Sequence, residues 1–263
     1  MTVIVIMPAY NAAKTLETTY ASIPMEIVDK IILTDDVSED ETVEIARKLG
    51  LKTIIHVQNR GYGGNQKTSY IEALKDGAEI VIMLHPDNQY DATRIPALIE
   101  PIRRGEYDMM IGSRFLGKET LKGGMPLYKY IGNRFLTWAE NLVLRQNLSE
   151  YHSGFRAYSR RFLTTVPFML NSDDFVFDSE ILAQATAFNF AIGEIAVPTR
   201  YFEEASSINF KRSVVYGLAT VWTMVKYLLH RTGLVKYPQF SKTLPEVISR
   251  YHWAEIARQP VSE

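Results

Sequence analysis

The sequence predicts an α/β fold with a mostly parallel central sheet flanked by helices and a helical C-terminal extension. Short apolar runs alternate with helical patterns through the first half of the chain, which is typical of a sheet covered on both faces. The composition, 46% apolar and 22% charged, is that of an average folded protein. The 263 residues contain no repeat and no low-complexity linker. We therefore expect one domain over residues 1–210 and an amphipathic helical extension over 211–263.

The predicted elements follow one another in a regular order. Strands are expected at 3–7, 30–33, 53–57, 79–84 and 108–111, and helices at 12–23, 63–75 and 92–104. After the second strand, Ser38 and Glu41 form a capping-box pattern that predicts a helix from residue 38 to 49, closed by Gly50. In the second half we expect helices at 126–144, 178–188 and 213–229, strands at 155–159 and 192–197, and one more helix from residue 244.

Charge and cysteine content exclude several classes of protein. Lys and Arg number 29 against 30 Asp and Glu, and a net charge of −1 argues against nucleic acid as the main partner. There is no Cys, which excludes disulfides, thiolate metal sites and a Cys nucleophile. The apolar run at 2–7 has neither a basic lead nor a cleavage site, so it predicts a buried strand rather than a signal peptide. We expect a cytoplasmic protein, free or at the cytoplasmic face of a membrane.

Polar clusters follow the ends of the predicted strands, which is where ligands bind in such sheets. The segment 35–42 reads Asp-Asp-Val-Ser-Glu-Asp-Glu-Thr. A helix N-terminus favours acidic residues, which explains Glu39 to Glu41 but not two aspartates at the strand end. Asp35 and Asp36 are therefore candidates to accept hydrogen bonds from a base or a sugar.

A second cluster, His-Pro-Asp-Asn-Gln at 85–89, predicts either a metal site or a turn. If the backbone stays extended, His85, Asp87 and Gln89 share one side. Imidazole, carboxylate and amide oxygen together suit Mg²⁺ or Mn²⁺ carrying a diphosphate. The alternative is a Pro-Asp-Asn turn without a ligand.

The glycine-rich segment 61–68, Gly-Tyr-Gly-Gly-Asn-Gln-Lys-Thr, is not a true P-loop. That motif needs Gly directly before Lys-Thr, where Gln66 stands. We expect a strand-to-helix turn whose helix N-terminus faces an anion. Arg114, Lys129 and Arg156 supply cations elsewhere, and Arg114 follows a buried strand.

Five motifs in order resemble the family 2 glycosyltransferases of GT-A fold, a Rossmann-like architecture. They are Pro-Ala-Tyr-Asn at 8–11, the acidic segment at 35–40, the cluster at 85–89, Gly-Ser-Arg at 112–114 and Ser-Gly-Phe-Arg at 153–156. The resemblance covers residues 3–207 and is nearest to the dolichyl- or polyprenyl-phosphate sugar synthases.

The resemblance implies inverting transfer of a sugar from a UDP- or GDP-sugar, with Mg²⁺ or Mn²⁺ as cofactor, to a polyprenyl phosphate. The implied contacts with the nucleotide-sugar are Pro8, Tyr10, Asn11, Asp35, Asp36, Gly63, Lys67 and Asp87. The implied metal ligands are Asp87, Gln89 and His85. The implied acceptor-phosphate contacts are Arg114, Lys129, Asn133 and Arg156, and the implied catalytic groups are Asp87, Arg114, Asp178 and Glu180.

Four departures from the family pattern bear on these roles. His85 replaces the first Asp of the metal motif and removes a negative charge. Lys129 and Asn133 replace an Arg and a Ser, so the site stays cationic but loses a guanidinium fork. Val37 replaces a Gly, so we expect that turn to keep a negative φ. The late cationic motif is degraded at 204–207.

The chemistry distinguishes two kinds of acceptor. A phosphate monoester is mostly dianionic at pH 7 because its second pKa is about 6, so it needs cations rather than a base. A sugar hydroxyl, as in polysaccharide synthesis, needs a general base, for which Asp178 and Glu180 are candidates. If they are not the base, they supply helix N-terminal charge. A nucleotidyltransferase, or a non-catalytic protein that binds a nucleotide-sugar, would also be compatible with these motifs.

The apolar helix at 213–229 is the candidate membrane contact. Its 17 residues would cover about 25 Å, short of the ~30 Å hydrocarbon core. A helix lying in the interface fits better. Its anchors would be Tyr216, Trp222 and Tyr227, and the cations near lipid phosphates would be Lys211, Arg212, Lys226 and Arg231. The alternative is a helix in the core or in a homodimer interface.

Overall fold

A seven-stranded sheet forms the centre of the protein. The computed structural model describes residues 1–117, 124–199 and 210–242, so the predicted helix from 244 and the degraded motif at 204–207 lie outside the described residues. The strands are β1 (Val3–Ala9), β2 (Lys30–Asp35), β3 (Lys52–Ile55), β4 (Ile80–Met83), β5 (Met109–Ser113), β6 (Arg156–Ser159) and β7 (Ile192–Ala196). Their order is β3-β2-β1-β4-β6-β5-β7. Only β6 runs antiparallel to its neighbours, and the mostly parallel sheet is confirmed.

Helices cover both faces of the sheet. They are α1 (Leu16–Ala21), α2 (Thr42–Lys48), α3 (Gly61–Lys75), α4 (Ile95–Arg103), α5 (Leu127–Leu144), α6 (Arg160–Thr165), α7 (Phe177–Ala187) and α8 (Phe210–Arg231). Single 3₁₀ turns lie at Ala92–Arg94, Phe168–Leu170 and Pro238–Phe240. The sequence did not predict α6, which at six residues is too short to show a helical period.

The interior position of β1, between β2 and β4, explains why its sequence is a continuous apolar run. All seven residues of β1 are buried. Ile4 and Ile6 join an apolar cluster with α3 and α7, while Val3 and Val5 join a second cluster with α4 on the opposite face. Successive side chains of a strand point to opposite faces, so a strand covered on both sides must be apolar throughout.

The segment after β2 corrects two predictions. The helix expected from residue 38 begins at Thr42, and Ser38 does not cap it. Instead, Ser38 N donates to Asp35 Oδ2 at 2.9 Å, which closes a side-chain turn. Val37 within that turn has a φ of 67°, so the expected negative φ is wrong. The Asp35 hydrogen bond and the exposed position of Val37 accommodate the left-handed backbone that a glycine would otherwise supply.

The described part of the C-terminal extension packs on the domain. α8 contacts α5 and α7. Lys226 Nζ donates to Glu180 Oε1 at 2.8 Å, in a largely buried ion pair. This corrects the expectation that Lys226 lies near lipid phosphates. Across the described residues, none of the helices combines the length and the apolar character that crossing a bilayer requires.

Candidate active site

A cavity of about 810 Å³ opens at the carboxyl ends of the parallel strands. The wall of the cavity is formed by residues at or after the ends of β1, β2, β4 and β5 and by residues of α5 and α8. Of the predicted site residues, the wall includes Pro8, Tyr10, Asn11, Asp36, His85, Asp87, Gln89, Arg114, Lys129, Asn133 and Asp178. The strand-end clusters therefore meet in one place, as the parallel sheet requires.

The two aspartates after β2 have different positions. Asp36 lines the cavity, and its carboxylate accepts hydrogen bonds from Arg60 N, Gly61 N and His56 Nδ1 at 2.7–2.9 Å. It thereby fixes the backbone at the start of α3. Asp35 is buried off the cavity wall. Its Oδ1 has no hydrogen-bond partner among the described residues, so it retains one acceptor.

The cluster at 85–89 forms a turn, with Asn88 at a φ of 53°. The extended backbone that the metal hypothesis assumed is not observed, yet His85, Asp87 and Gln89 all reach the cavity wall. Gln89 N donates to Asp87 Oδ1 at 3.1 Å, and the carboxylate pairs with no Lys or Arg in the described parts of the chain. Burial raises the pKa of Asp87, opposed by the nearby His85.

The side chains of His85, Asp87 and Gln89 fit a divalent cation that also binds a diphosphate. A buried carboxylate without a counter-charge is destabilised, and a cation would relieve that. Within the described residues, no three His, Asp or Glu side chains converge as a complete metal cage. In this cluster Asp87 is the carboxylate that could bind a cation, with Gln89 and His85 beside it.

The glycine-rich start of α3 packs against a loop, and it reaches the cavity only through Gly61, Tyr62 and Asn65. Gly63 N and Gly64 N donate to Asp173 O at 2.8 and 3.3 Å, so these helix N-terminal groups are engaged. Lys67 Nζ donates to Asn171 O and to Asp173 Oδ1. Neither Gly63 nor Lys67 is on the cavity wall, which corrects their predicted role as nucleotide-sugar contacts.

A cationic cluster occupies the end of the cavity next to α5. Arg114 Nε and Arg114 N donate to the two carboxylate oxygens of the fully buried Glu150, at 2.7 and 2.8 Å. Asn133 Nδ2 donates to the same carboxylate at 3.1 Å. Burial and, secondarily, Arg114 lower the pKa of Lys129. Glu150 thus balances the charge of Arg114, and Lys129 on the same cavity wall lies within the electrostatic influence of Arg114.

A second ion pair joins Asp178 on the cavity wall to Arg156 behind it. Asp178 accepts hydrogen bonds from Arg156 Nη1 at 3.1 Å, Gln66 Nε2 at 3.2 Å and Tyr62 Oη at 2.8 Å. Arg156 is fully buried and absent from the cavity wall, so the structure does not bring it to the predicted acceptor phosphate. Glu180 is likewise off the wall, bonded to Ser172 N and Lys226.

The family assignment follows from comparison with known proteins. The family model described as glycosyl transferase family 2 matches residues 4–166. The chain is a family 2 glycosyltransferase. This assignment supports a glycosyltransferase over the nucleotidyltransferase and the non-catalytic binder that the motifs alone left open.

Relatives of this glycosyltransferase include two archaeal proteins. An uncharacterized protein of Methanocaldococcus jannaschii is 33% identical over 205 residues, covering 78% of this chain and 84% of that one. The UDP-N-acetylglucosamine–dolichyl-phosphate N-acetylglucosaminyltransferase of Methanococcus voltae is 29% identical over 215 residues, covering 75% and 85%.

A solved structure confirms the GT-A fold of the glycosyltransferase. Glucosyl-3-phosphoglycerate synthase from Mycobacterium tuberculosis, in complex with uridine diphosphate, superimposes with a TM-score of 0.68 at 20% identity. The match covers 86% of this chain and 79% of that chain. At this identity the likeness concerns the fold.

Sequence reasoning missed three residues of the glycosyltransferase site. Glu150 compensates Arg114, and His152 and Tyr216 both line the cavity. Glu150 and His152 directly precede the Ser-Gly-Phe-Arg motif, a position that could have drawn attention to them. The sequence placed Tyr216 at a membrane interface, and only the packing of α8 shows that it faces the cavity.

Proposed function

We propose that this glycosyltransferase moves a sugar, with inversion, from a UDP- or GDP-sugar to a polyprenyl phosphate. One observation carries the proposal: Arg114 and Lys129 both line the cavity and repel each other, and among the described residues Glu150 pairs with Arg114 while no carboxylate pairs with Lys129. Two cations with one paired carboxylate suit an anionic acceptor. The Methanococcus voltae relative, named as a dolichyl-phosphate transferase, supports the same acceptor class.

The residues divide into a donor end and an acceptor end. Pro8, Tyr10 and Asn11 would hold the nucleoside next to Asp36, which orders the loop behind it. Asp87, with Gln89 and His85, would hold Mg²⁺ or Mn²⁺, which neutralises charge on the leaving diphosphate. Structures of the Mycobacterium tuberculosis synthase contain Mn²⁺ with UDP, which supports such a cofactor. Arg114 and Lys129 would orient the acceptor phosphate for attack on the opposite face of the sugar.

A sugar-hydroxyl acceptor is the weaker candidate because its base is already engaged. Asp178 reaches the cavity, but its carboxylate accepts from Arg156, Gln66 and Tyr62. These three donors already occupy the carboxylate oxygens, which leaves less room for a sugar hydroxyl to approach them. Glu180 is further removed, since it is bonded to Lys226 and lies off the wall.

The acceptor end adjoins an exposed apolar face formed by α5 and α8, which pack side by side. Trp138 is 61% exposed and Trp222 is 55% exposed. The other exposed apolar residues of the face are Leu127, Ile131, Phe135, Leu142, Val214, Val215, Leu218 and Val221. The 3- and 4-residue spacing places each set on one side of its helix.

Charge favours an anionic membrane as the partner of this α5–α8 face. The exposed charged residues of the two helices are Arg134, Lys211, Arg212 and Arg231. Their sole acidic residue, Glu140, is fully buried. Aromatic residues and peripheral cations are the features of interfacial helices. A bilayer on this face would present a lipid-linked phosphate beside Arg114 and Lys129.

Transfer assays test the acceptor. The protein is incubated with labelled UDP- and GDP-sugars, Mn²⁺, and either farnesyl phosphate or farnesol as the matched acceptor without phosphate. We expect a lipid-linked product only with farnesyl phosphate. Equal transfer to farnesol, or transfer confined to sugar hydroxyls, would overturn the proposal.

Vesicle flotation tests the membrane face. We expect the protein to float with anionic vesicles at low salt and to sink with neutral ones. Trp138→Glu and Trp222→Glu should abolish flotation. Val57→Glu is the matched control, because Val57 is a fully exposed apolar residue after β3, away from both helices. Flotation that survives both tryptophan variants would refute the assigned face.

A further inference from the structure

A chain of three side chains runs from the buried side of α5 to the wall of the cavity. Glu140 Oε2 lies 3.2 Å from His152 Nε2, and His152 Nδ1 lies 2.7 Å from Tyr216 Oη. Tyr216 lines the cavity, and its oxygen is also 3.3 Å from Ser179 Oγ. The proposed mechanism uses none of these groups.

The Glu140 carboxylate forms one ion-pair contact among the described residues. Its side chain is fully buried, and neither carboxylate oxygen has an aligned hydrogen bond with any described residue. The 3.2 Å contact with His152 is not aligned as a hydrogen bond either, but attraction between opposite charges does not require that alignment. A buried carboxylate is costly unless a cation pairs with it, and the imidazole of His152 is the group in contact with Glu140 that can carry a second proton.

With a proton on each ring nitrogen, His152 fixes the direction of its hydrogen bond to Tyr216. An imidazolium has two N–H donors and no acceptor, so Nδ1–H must donate to Tyr216 Oη. Burial and, next, Glu140 raise the pKa of Tyr216, so the phenol keeps its proton at neutral pH. That proton then points away from the imidazole, toward Ser179 or into the cavity.

The tyrosine lies next to the cationic cluster. Arg114 Nη2 donates to the main-chain oxygen of His152 at 3.1 Å, so one residue contacts both Arg114 and Tyr216. We infer that Tyr216 donates a hydrogen bond to an anionic oxygen of a phosphate-bearing acceptor, and that His152, paired with Glu140, is a positioning residue that orients the Tyr216 hydroxyl. This inference rests on the proposed phosphate acceptor and adds a neutral donor to Arg114 and Lys129.

Calorimetry of phosphate binding tests the role of Tyr216. The full chain is titrated with inorganic phosphate, and separately with UDP and Mn²⁺, without turnover. Tyr216→Phe should weaken phosphate binding about tenfold or more, as expected for a hydrogen bond to a charged group, and leave UDP binding unchanged. Tyr227→Phe, on the same helix and off the cavity wall, should change neither. An unchanged phosphate Kd in Tyr216→Phe, or no phosphate binding by the unmodified protein, overturns the inference.

His152 variants separate positioning from packing. His152→Leu should weaken phosphate binding as much as Tyr216→Phe does, and the double variant should lose no more. His152→Asn places an amide N–H near the position of Nδ1 and should restore most of the affinity. If His152→Asn binds phosphate as poorly as His152→Leu while both remain folded, the positioning role is refuted.

Removing the charge of Glu140 tests its role. Besides Glu140, the charged groups around this chain are Arg114 at the His152 backbone, and Asp178 and Arg156 near Tyr216. Glu140→Gln removes the negative charge beside His152 Nε2. Phosphate binding should then weaken toward that of His152→Leu, and an unchanged phosphate Kd in the folded variant would refute the role of Glu140. Failure of the farnesyl phosphate assay alone would refute the proposed function and leave these binding results standing.

Discussion

Replacing Gly63 with alanine tests whether the glycine-rich segment at the start of α3 serves packing or phosphate binding. A Cβ at this position would lie 2.4 Å from Ser172 O and 2.9 Å from Phe177 Cβ. The first is a main-chain atom and the second is the base of a side chain, so neither can rotate away. The loop must shift, which weakens the 2.8 Å hydrogen bond from Gly63 N to Asp173 O.

The expected loss of stability is moderate. Overpacking costs about 1–3 kcal/mol and a weakened hydrogen bond about 1 kcal/mol, while alanine regains about 1 kcal/mol of helix propensity. The free energy of unfolding should fall by about 1–3 kcal/mol, which lowers Tm by about 2–12 °C in a protein of this size.

Thermal unfolding and UDP titration together decide the question. Gly217→Ala on α8 is the matched control, because its Cβ would meet only Leu136 Cδ1, at 3.8 Å, and should leave Tm equal or higher. Folded Gly63→Ala should bind UDP as the unmodified protein does. Unchanged stability together with lost UDP affinity would refute the packing argument and restore a phosphate-binding role for the segment.

Three further outcomes follow from the site. Asp87→Asn keeps the shape of the side chain and removes its charge. Sugar transfer should therefore fall by about 100-fold or more, and Mn²⁺ should no longer strengthen UDP binding. Full activity of the unmodified protein in excess chelator would contradict this role. Arg114→Lys keeps the positive charge but loses the guanidinium hydrogen bonds to Glu150. The KM for the acceptor should therefore rise while UDP affinity stays unchanged. A loss of UDP affinity with an unchanged acceptor KM would assign Arg114 to the donor. Lys226→Ala strands the buried Glu180 carboxylate and should cost about 3 kcal/mol in urea unfolding. Adding Glu180→Gln should recover part of that loss, and strictly additive losses would argue against the pair.

Local sequence patterns were enough to predict the sheet, its helices and the place of the cavity. The period of apolar residues distinguishes strand from helix, and polar residues after a strand fall at its carboxyl end. Gly50, with a φ of 72°, ends α2 as its pattern predicted. The same local reasoning failed at Val37, where a hydrogen bond from Ser38 N to the side chain of Asp35 holds a left-handed backbone.

The polar residues that face the ligand became clear only from the packing of distant segments. Lys67 looked like a phosphate contact until the structure paired it with Asp173, 106 residues away. Arg156 and Asp178, predicted as separate site residues, form an ion pair, with Asp178 on the cavity wall and Arg156 behind it. Tyr216, predicted as a lipid anchor, lies on the cavity wall because α8 packs on α5 and α7. A residue's type and spacing show what it can bind, but its partner depends on which distant segment folds against it, and no local pattern encodes that.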